Sequence, residues 1–293
     1  MAQKRNRWWI NLVLAFGLVA FLGLSTLPLL GSIFQQNPSS SGTPSPSQTT
    51  PSAQQAELAA QVKGYELVLQ REPENQTALK GLVEARLRMV QLKLADIKTV
   101  IEPLEKLVKL NPNQTNYAIL LAQAKQYTGD REGSAQTYRA VLESQPGNIQ
   151  ALQGLVELFL QQNRPEAAIG LLQDTLKTAD QANQIQAGSI DVTSVQLELG
   201  RVYAEQKRYA EALAAYDGAI KEDEQDFRPF LAKGWIFQEQ GKPEEAELLF
   251  SKALDLAPAQ FKDGIKDEIA KLSTEKSGAE NDADTTVPSD PKE

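Results

Sequence analysis

The side chains able to do chemistry in this chain are carboxylates and amino or guanidinium groups: 38 Asp and Glu stand against 30 Lys and Arg, with no histidine and no cysteine. The commonest general base, the thiol nucleophile and the strong zinc ligands are all missing. Carboxylate groups remain for acid–base work, as in Glu244 with Glu245, or Glu222 with Asp223 and Glu224. Both groups fall where a helix starts or ends, and exposed acids are ordinary there. No glycine-rich phosphate loop is present, since Gly200 and Gly234 lie inside helical patterns and are accounted for by packing. A net charge of −8 supplies no basic face for nucleic acid. The expectation is a non-enzymatic protein with no cofactor, metal or small-molecule substrate, whose chemistry is recognition of other proteins.

The elements that would position such recognition repeat. Between Gln76 and Gln260 one pattern returns about every 34 residues. Gly200, Tyr203, Ala212, Tyr216 and Ala219 reappear at the same offset as Gly234, Phe237, Ala246, Phe250 and Ala253. Two antiparallel helices approach closely only where side chains are small, which places Gly200 and Ala212 at a crossing, with Tyr216 filling the gap to the next repeat. Upstream, Leu121, Gly129, Ser134, Tyr138, Val141 and Pro146 form another copy, followed by Leu155, Asn163, Ala168, Leu172, Thr175 and Asp180. The first full copy, Gln76 through Pro112, needs about five extra residues between Val90 and Lys98, so its helices are longer or its turn looser. Before it, Tyr65, Val68 and Pro73 match a second helix without a first, and Ala53 to Arg71 reads as an unpaired N-terminal helix. After Pro258, the stripe Phe261, Ile265, Ile269 and Leu272 suits a lone helix covering the open end of a solenoid.

Leu199-Gly200, Tyr203, Ala212 and Tyr216 resemble the tetratricopeptide (TPR) signature. The resemblance implies an all-α, right-handed solenoid of helix-turn-helix units, about five to six hairpins plus a capping helix over residues 53–272. In TPR proteins the first helix of each pair lines a concave groove. By register its inward positions here are Lys80 and Glu84, Ile119 and Gln123, Gln153 and Glu157, Leu197 and Arg201, and Leu231 and Trp235. TPR domains that hold chaperone C-terminal carboxylates use paired Lys and Asn at such positions. This chain offers Lys80 with Glu84, then Leu120, then Gln150 with Gly154, which argues against a carboxylate clamp. Phe230 occupies the family's buried tryptophan position, so Trp235 beside Leu231 either anchors a partner or packs against the helix containing Phe261. The insertion Ala179 to Ile190 either lies on a binding face or extends the preceding helix and turn.

At the N-terminus, residues 8–30 are apolar except for Asn11, Ser25 and Thr26. As a helix this run is roughly 34 Å long, enough for a bilayer core of roughly 30 Å. Lys4, Arg5 and Arg7 precede it in a basic tail of residues 1–7, and Trp8 and Trp9 stand where interfacial aromatics belong. A cleaved secretory signal is the rival reading, but its apolar core runs to about 7–15 residues before a small-x-small site, and here apolar chain continues past Gly23-Leu24-Ser25. The length favours one uncleaved transmembrane helix, with a cytoplasmic N-terminus and repeats on the periplasmic or lumenal side. Residues 31–52, with Pro38, Pro44, Pro46 and Pro51 among Ser, Thr and Gln, read as a flexible tether. Residues 273–293 are small, polar and acidic and read as a disordered tail.

The whole layout resembles cyanobacterial and plastid TPR proteins, some of whose relatives assist photosystem and thylakoid biogenesis. It implies a scaffold in a thylakoid or plasma membrane that binds protein segments and assists assembly or maintenance of a membrane complex such as a photosystem. The alternative is a periplasmic or envelope TPR chaperone or biogenesis subunit for secreted proteins or cytochromes.

Overall fold

A computed structural model describes residues 51–284, with side chains for residues 53–272. The described residues form α-helices and one 3₁₀ turn, with no strand: α1 (Pro51–Arg71), α2 (Gln76–Gln91), α3 (Ile101–Leu110), α4 (Thr115–Tyr127), α5 (Arg131–Ser144), α6 (Ile149–Gln161), α7 (Pro165–Ile185), α8 (Val192–Glu205), α9 (Tyr209–Glu222), α10 (Phe227–Glu239), α11 (Pro243–Leu256) and α12 (Ala259–Asp284). Helices α2 to α11 pair into five hairpins, each packed on the next.

Local chemistry sets the ends of these helices. Asn75, Asn148, Asp191 and Asp226 each cap a first helix, their side-chain oxygens accepting from a backbone N–H in the first turn. Such caps are worth about 1 kcal/mol each. Second helices α7 and α11 instead start on Pro165 and Pro243, whose fixed φ suits the first turn. Inside every hairpin the first helix ends on one left-handed residue, in order Lys93, Gly129, Asn163, Lys207 and Gly241. The residue after each donates back across the turn, as Arg208 N does to the Tyr203 carbonyl at 2.9 Å and Lys242 N to that of Phe237 at 2.9 Å. This closure satisfies carbonyls the helix end would otherwise leave unpaired.

Packing between helices is volume-compensated along the array. The Tyr138 ring presses on Gly154 of the following hairpin, where an added Cβ would lie 2.2 Å from it, and Tyr65 does the same to Gly81 at 2.3 Å. In the equivalent positions Leu104 is matched by Leu120, Leu172 by Glu198 and Tyr216 by Ala232. By register, tyrosine is matched with glycine or alanine and leucine with a larger residue. Tyr216 also lies over Gly200 of its own hairpin, with an added Cβ 2.3 Å from the ring. The close crossing is thus Gly200 against an aromatic, and Tyr216 fills its own hairpin.

Five sequence expectations meet the structure here. Helix α1 packs on α2 through Tyr65 and Gly81 as a second helix would, and no first helix precedes it among the described residues. It also begins at Pro51, slightly before the expected array. The extra residues after Val90 form a looser turn and a 3₁₀ turn, Ile97–Val100. The insertion at Ala179 to Ile190 extends α7 and its return turn: Asn183 donates to the Ile190 carbonyl and accepts from Ile190 N, both at 2.9 Å. Helix α12 caps the last hairpin with Ile265 and Leu272 buried, and its backbone stays helical to Asp284, into the segment read as a tail from residue 273. The basic tail, the transmembrane helix at 8–30 and nearly all of the tether lie outside the described residues. Among the described residues no helix is long and apolar enough to cross a membrane.

Burial of the packing tyrosines predicts an alkaline limit to stability. It pushes the phenols of Tyr138 and Tyr216 well above their usual range, and burial together with a hydrogen bond to Glu239 pushes Tyr209 up to about 12. The folded state therefore keeps these protons where an unfolded chain releases them near pH 10, so this contribution is whole below about pH 10 and declines as pH rises further. In a pH titration, ionisation of Tyr138 and Tyr216, followed by tyrosinate absorbance, should coincide with loss of helical circular dichroism. Ionisation within a fully helical protein would show that these rings are open to solvent.

Candidate protein-binding groove

The first helices line one side of the array. Consecutive first helices from α4 to α10 touch one another, while no two second helices make a comparable contact among the described residues. Crowding on the first-helix side is the geometry that creates a concave face. Lys80 begins that face, with its ammonium 5.8 Å from the Tyr117 ring, a cation–π contact linking α2 to α4. Gln126 on α4 donates to Gln161 on α6 at 3.3 Å, and Gln161 in turn donates to Glu157 at 2.9 Å.

Nine of the ten expected groove residues are half-buried first-helix side chains: Lys80, Glu84, Gln123, Gln153, Glu157, Leu197, Arg201, Leu231 and Trp235. Ile119 differs, because it is only 5 % exposed and packs in the central core with Ala118 and Ala122. An apolar branched side chain at that position turns into the seam between neighbouring helices, where its polar counterpart Gln153 stays at the surface. Trp235 packs edge-on to Phe250, with centroids 6.5 Å apart and planes at 68°. It belongs to the C-terminal core together with Phe261, whose own ring partner is Phe227 at 5.1 Å. Trp235 is thus a partly exposed indole held from behind by its own hairpin.

The charged centre of the face is on α8. Glu198 is 5 % exposed and pairs with Arg201, which also pairs with Glu205; the Arg201 side chain retains 28 % of its exposure. Burial works against the Arg201 charge, but Glu198 first, then Glu205 and Glu157 of α6, outweigh it and hold the guanidinium charged. Burial likewise raises the Glu205 carboxyl above its usual range; Arg201 opposes this, while Glu157 and Glu198 add to it. Sequence reasoning missed Glu198. The available signal was its register, since the same position holds Gly154 in the preceding hairpin and Ala232 in the following one, and a charged residue at a small-residue position must have a partner.

Helical hairpins stacked through glycine–aromatic contacts, with the first helices along one side, define a tetratricopeptide solenoid. Tetratricopeptide repeat models match residues 127–188, 193–229 and 227–260. Arrays of this class generally serve as protein-interaction scaffolds. The chain is 32% identical over 95 residues to protein SLOW GREEN 1, chloroplastic, of Arabidopsis thaliana, a match covering 32% of this chain and 29% of that protein. It is 27% identical over 153 residues to cellulose synthase operon protein C of Pseudomonas fluorescens (strain SBW25), covering 52% of this chain and 12% of that one. The chain thus matches less than a third of the length of either relative. Among solved structures yeast Tom70 shares the fold, with a TM-score of 0.52 at 13% identity over 74% of this chain and 43% of that chain.

Proposed function

We propose that this protein is a scaffold that holds segments of partner proteins along the face formed by α2, α4, α6, α8 and α10, and that it assists assembly or maintenance of a membrane complex such as a photosystem. The observation that carries the groove is the row of half-buried first-helix side chains from Lys80 to Trp235. Membrane tethering rests on the apolar run of residues 8–30 behind Lys4, Arg5 and Arg7, with the repeats on the periplasmic or lumenal side. The match to a chloroplastic relative supports a photosynthetic membrane. The second reading, an envelope chaperone or biogenesis subunit, draws on the match to a bacterial cellulose synthase operon protein.

The test is affinity purification of the intact protein from gently solubilised native membranes, beside Trp235→Ala and Lys80→Ala. Photosystem subunits recovered with the parent and depleted with either variant are the expected result, and Trp235→Ala should cost a partner about 2 kcal/mol or more. Recovery of translocon or cytochrome-maturation proteins would move the function to the envelope. Clients held equally by both variants would remove the groove from the site.

A further inference from the structure

The residues of one groove row share a register on successive first helices: Gln123 on α4, Glu157 on α6, Arg201 on α8 and Trp235 on α10. The middle of that row is anionic. Arg201 is the one cation acting on Glu205, against Glu157 and Glu198, and its fork is already engaged: Nε and Nη2 donate to Glu198 and Nη1 to Glu205. Glu198 is thereby consumed as a buried partner. Glu157 accepts through one oxygen from Gln161 and Glu205 through one oxygen from Arg201, which leaves the other oxygen of each carboxylate open. Of the cations on the neighbouring elements, Lys233 of α10 pairs with Asp217, and Arg208, ahead of α9, with Glu166 and Glu211.

Beside this anionic centre lies an apolar one. Leu231 and Trp235 sit on α10, one hairpin further along, and remain partly exposed above the C-terminal core. Adjacent packed helices lie about 8–10 Å apart, and an extended chain advances about 3.3 Å per residue. A side chain set between α6 and α8 is one and a half such spacings, roughly 12–15 Å, from α10, which an extended segment running across the first helices covers in about four residues.

We propose that the groove between α6 and α10 takes an extended partner segment whose lysine or arginine sets between Glu157 and Glu205 and whose bulky apolar side chain, about four positions away and so on the same face, rests on Leu231 and Trp235. This rests on the groove reading above and specifies its occupant. A basic head desolvated between two carboxylates provides charge selectivity, and the half-buried indole provides the anchoring surface.

The test uses the full chain in detergent and fluorescently labelled peptides in anisotropy titrations. One peptide carries lysine and leucine at that spacing, a second has glutamate for the lysine, and a third has serine for the leucine. The lysine–leucine peptide should bind at least tenfold tighter than either. Glu157→Gln with Glu205→Gln should erase the charge preference, about a tenfold loss, while Trp235→Ala should erase the preference for leucine. Glu244→Gln with Glu245→Gln, at the exposed start of α11, serves as the control for general attraction to an acidic protein, and melting curves establish that each variant is folded. An equal loss with the control pair would overturn the assigned site. Equal binding of the lysine and glutamate peptides, still lost in Trp235→Ala, would overturn the basic occupant while leaving the groove standing. Binding indifferent to every groove variant would overturn both.

Discussion

Phe250→Ala should lower stability by about 3–5 kcal/mol and release the C-terminal end of the array before the rest unfolds. The Phe250 ring is fully buried, lies against Gly234 and carries the edge-on contact with Trp235. Around it Ala246, Ala253, Ala257, Ile265 and Leu272 form a core separate from the central one. The buried alanines beside it cannot extend into the vacated volume, so a cavity remains. A repeat array is stabilised by each unit and its immediate neighbours, and among the described residues this hairpin has the α8–α9 hairpin on one side and α12 on the other. Chemical denaturation followed by circular dichroism should therefore split into two transitions, the first involving α10 to α12. A single transition at reduced midpoint would show that the two cores unfold as one cooperative unit. The same loss would remove the backing of Trp235, so partner binding at that end should fall with it.

Gly200→Val should destabilise the protein by about 3 kcal/mol, acting at the opposite extreme of packing. Its first added atom would lie 2.3 Å from the Tyr216 ring, which is buried and rigid and cannot swing away. Separating α8 from α9 would also disturb the Glu198–Arg201 pair on α8. Gly170 is the control, because it is a helical glycine with nothing within 4 Å of an added Cβ. There alanine should raise stability by up to about 1 kcal/mol through helix propensity alone. Thermal or denaturant melts of both variants settle the matter: if Gly170→Ala and Gly200→Val move stability in the same direction, glycine in this array is not a packing device. Tyr216→Leu placed in the Gly200→Val background should recover part of the loss, since it removes the atoms in conflict.

The hairpins were readable in the chain because they depend on local, periodic signals. Gly200, Ala212 and Tyr216 recur as Gly234, Ala246 and Phe250, and all six are buried in the structure. Gly129, Asn163 and Gly241 mark turns that the structure closes with left-handed residues, yet Lys93 and Lys207 close the same turns without any compositional cue. Lysine has no preference for that conformation; the hydrogen bonds of the turn impose it.

Amino-acid order alone was sufficient for the period, the helix-turn-helix hairpins and the capping stripe ending at Leu272, because each is set by the spacing of small and apolar residues along one helix. Tertiary structure decided which member of a register position faces solvent. Ile119 and Gln153 are equivalent in sequence, yet one is core and the other half-buried at the surface, since burial depends on what the neighbouring helices bring to the seam. It decided that Trp235 is backed by Phe250, that Asn183 folds the insertion back as an extension of α7, and that Glu198 is held beneath Arg201. Each of these depends on contacts between distant parts of the chain or on side-chain geometry, and a repeat period carries no information about either.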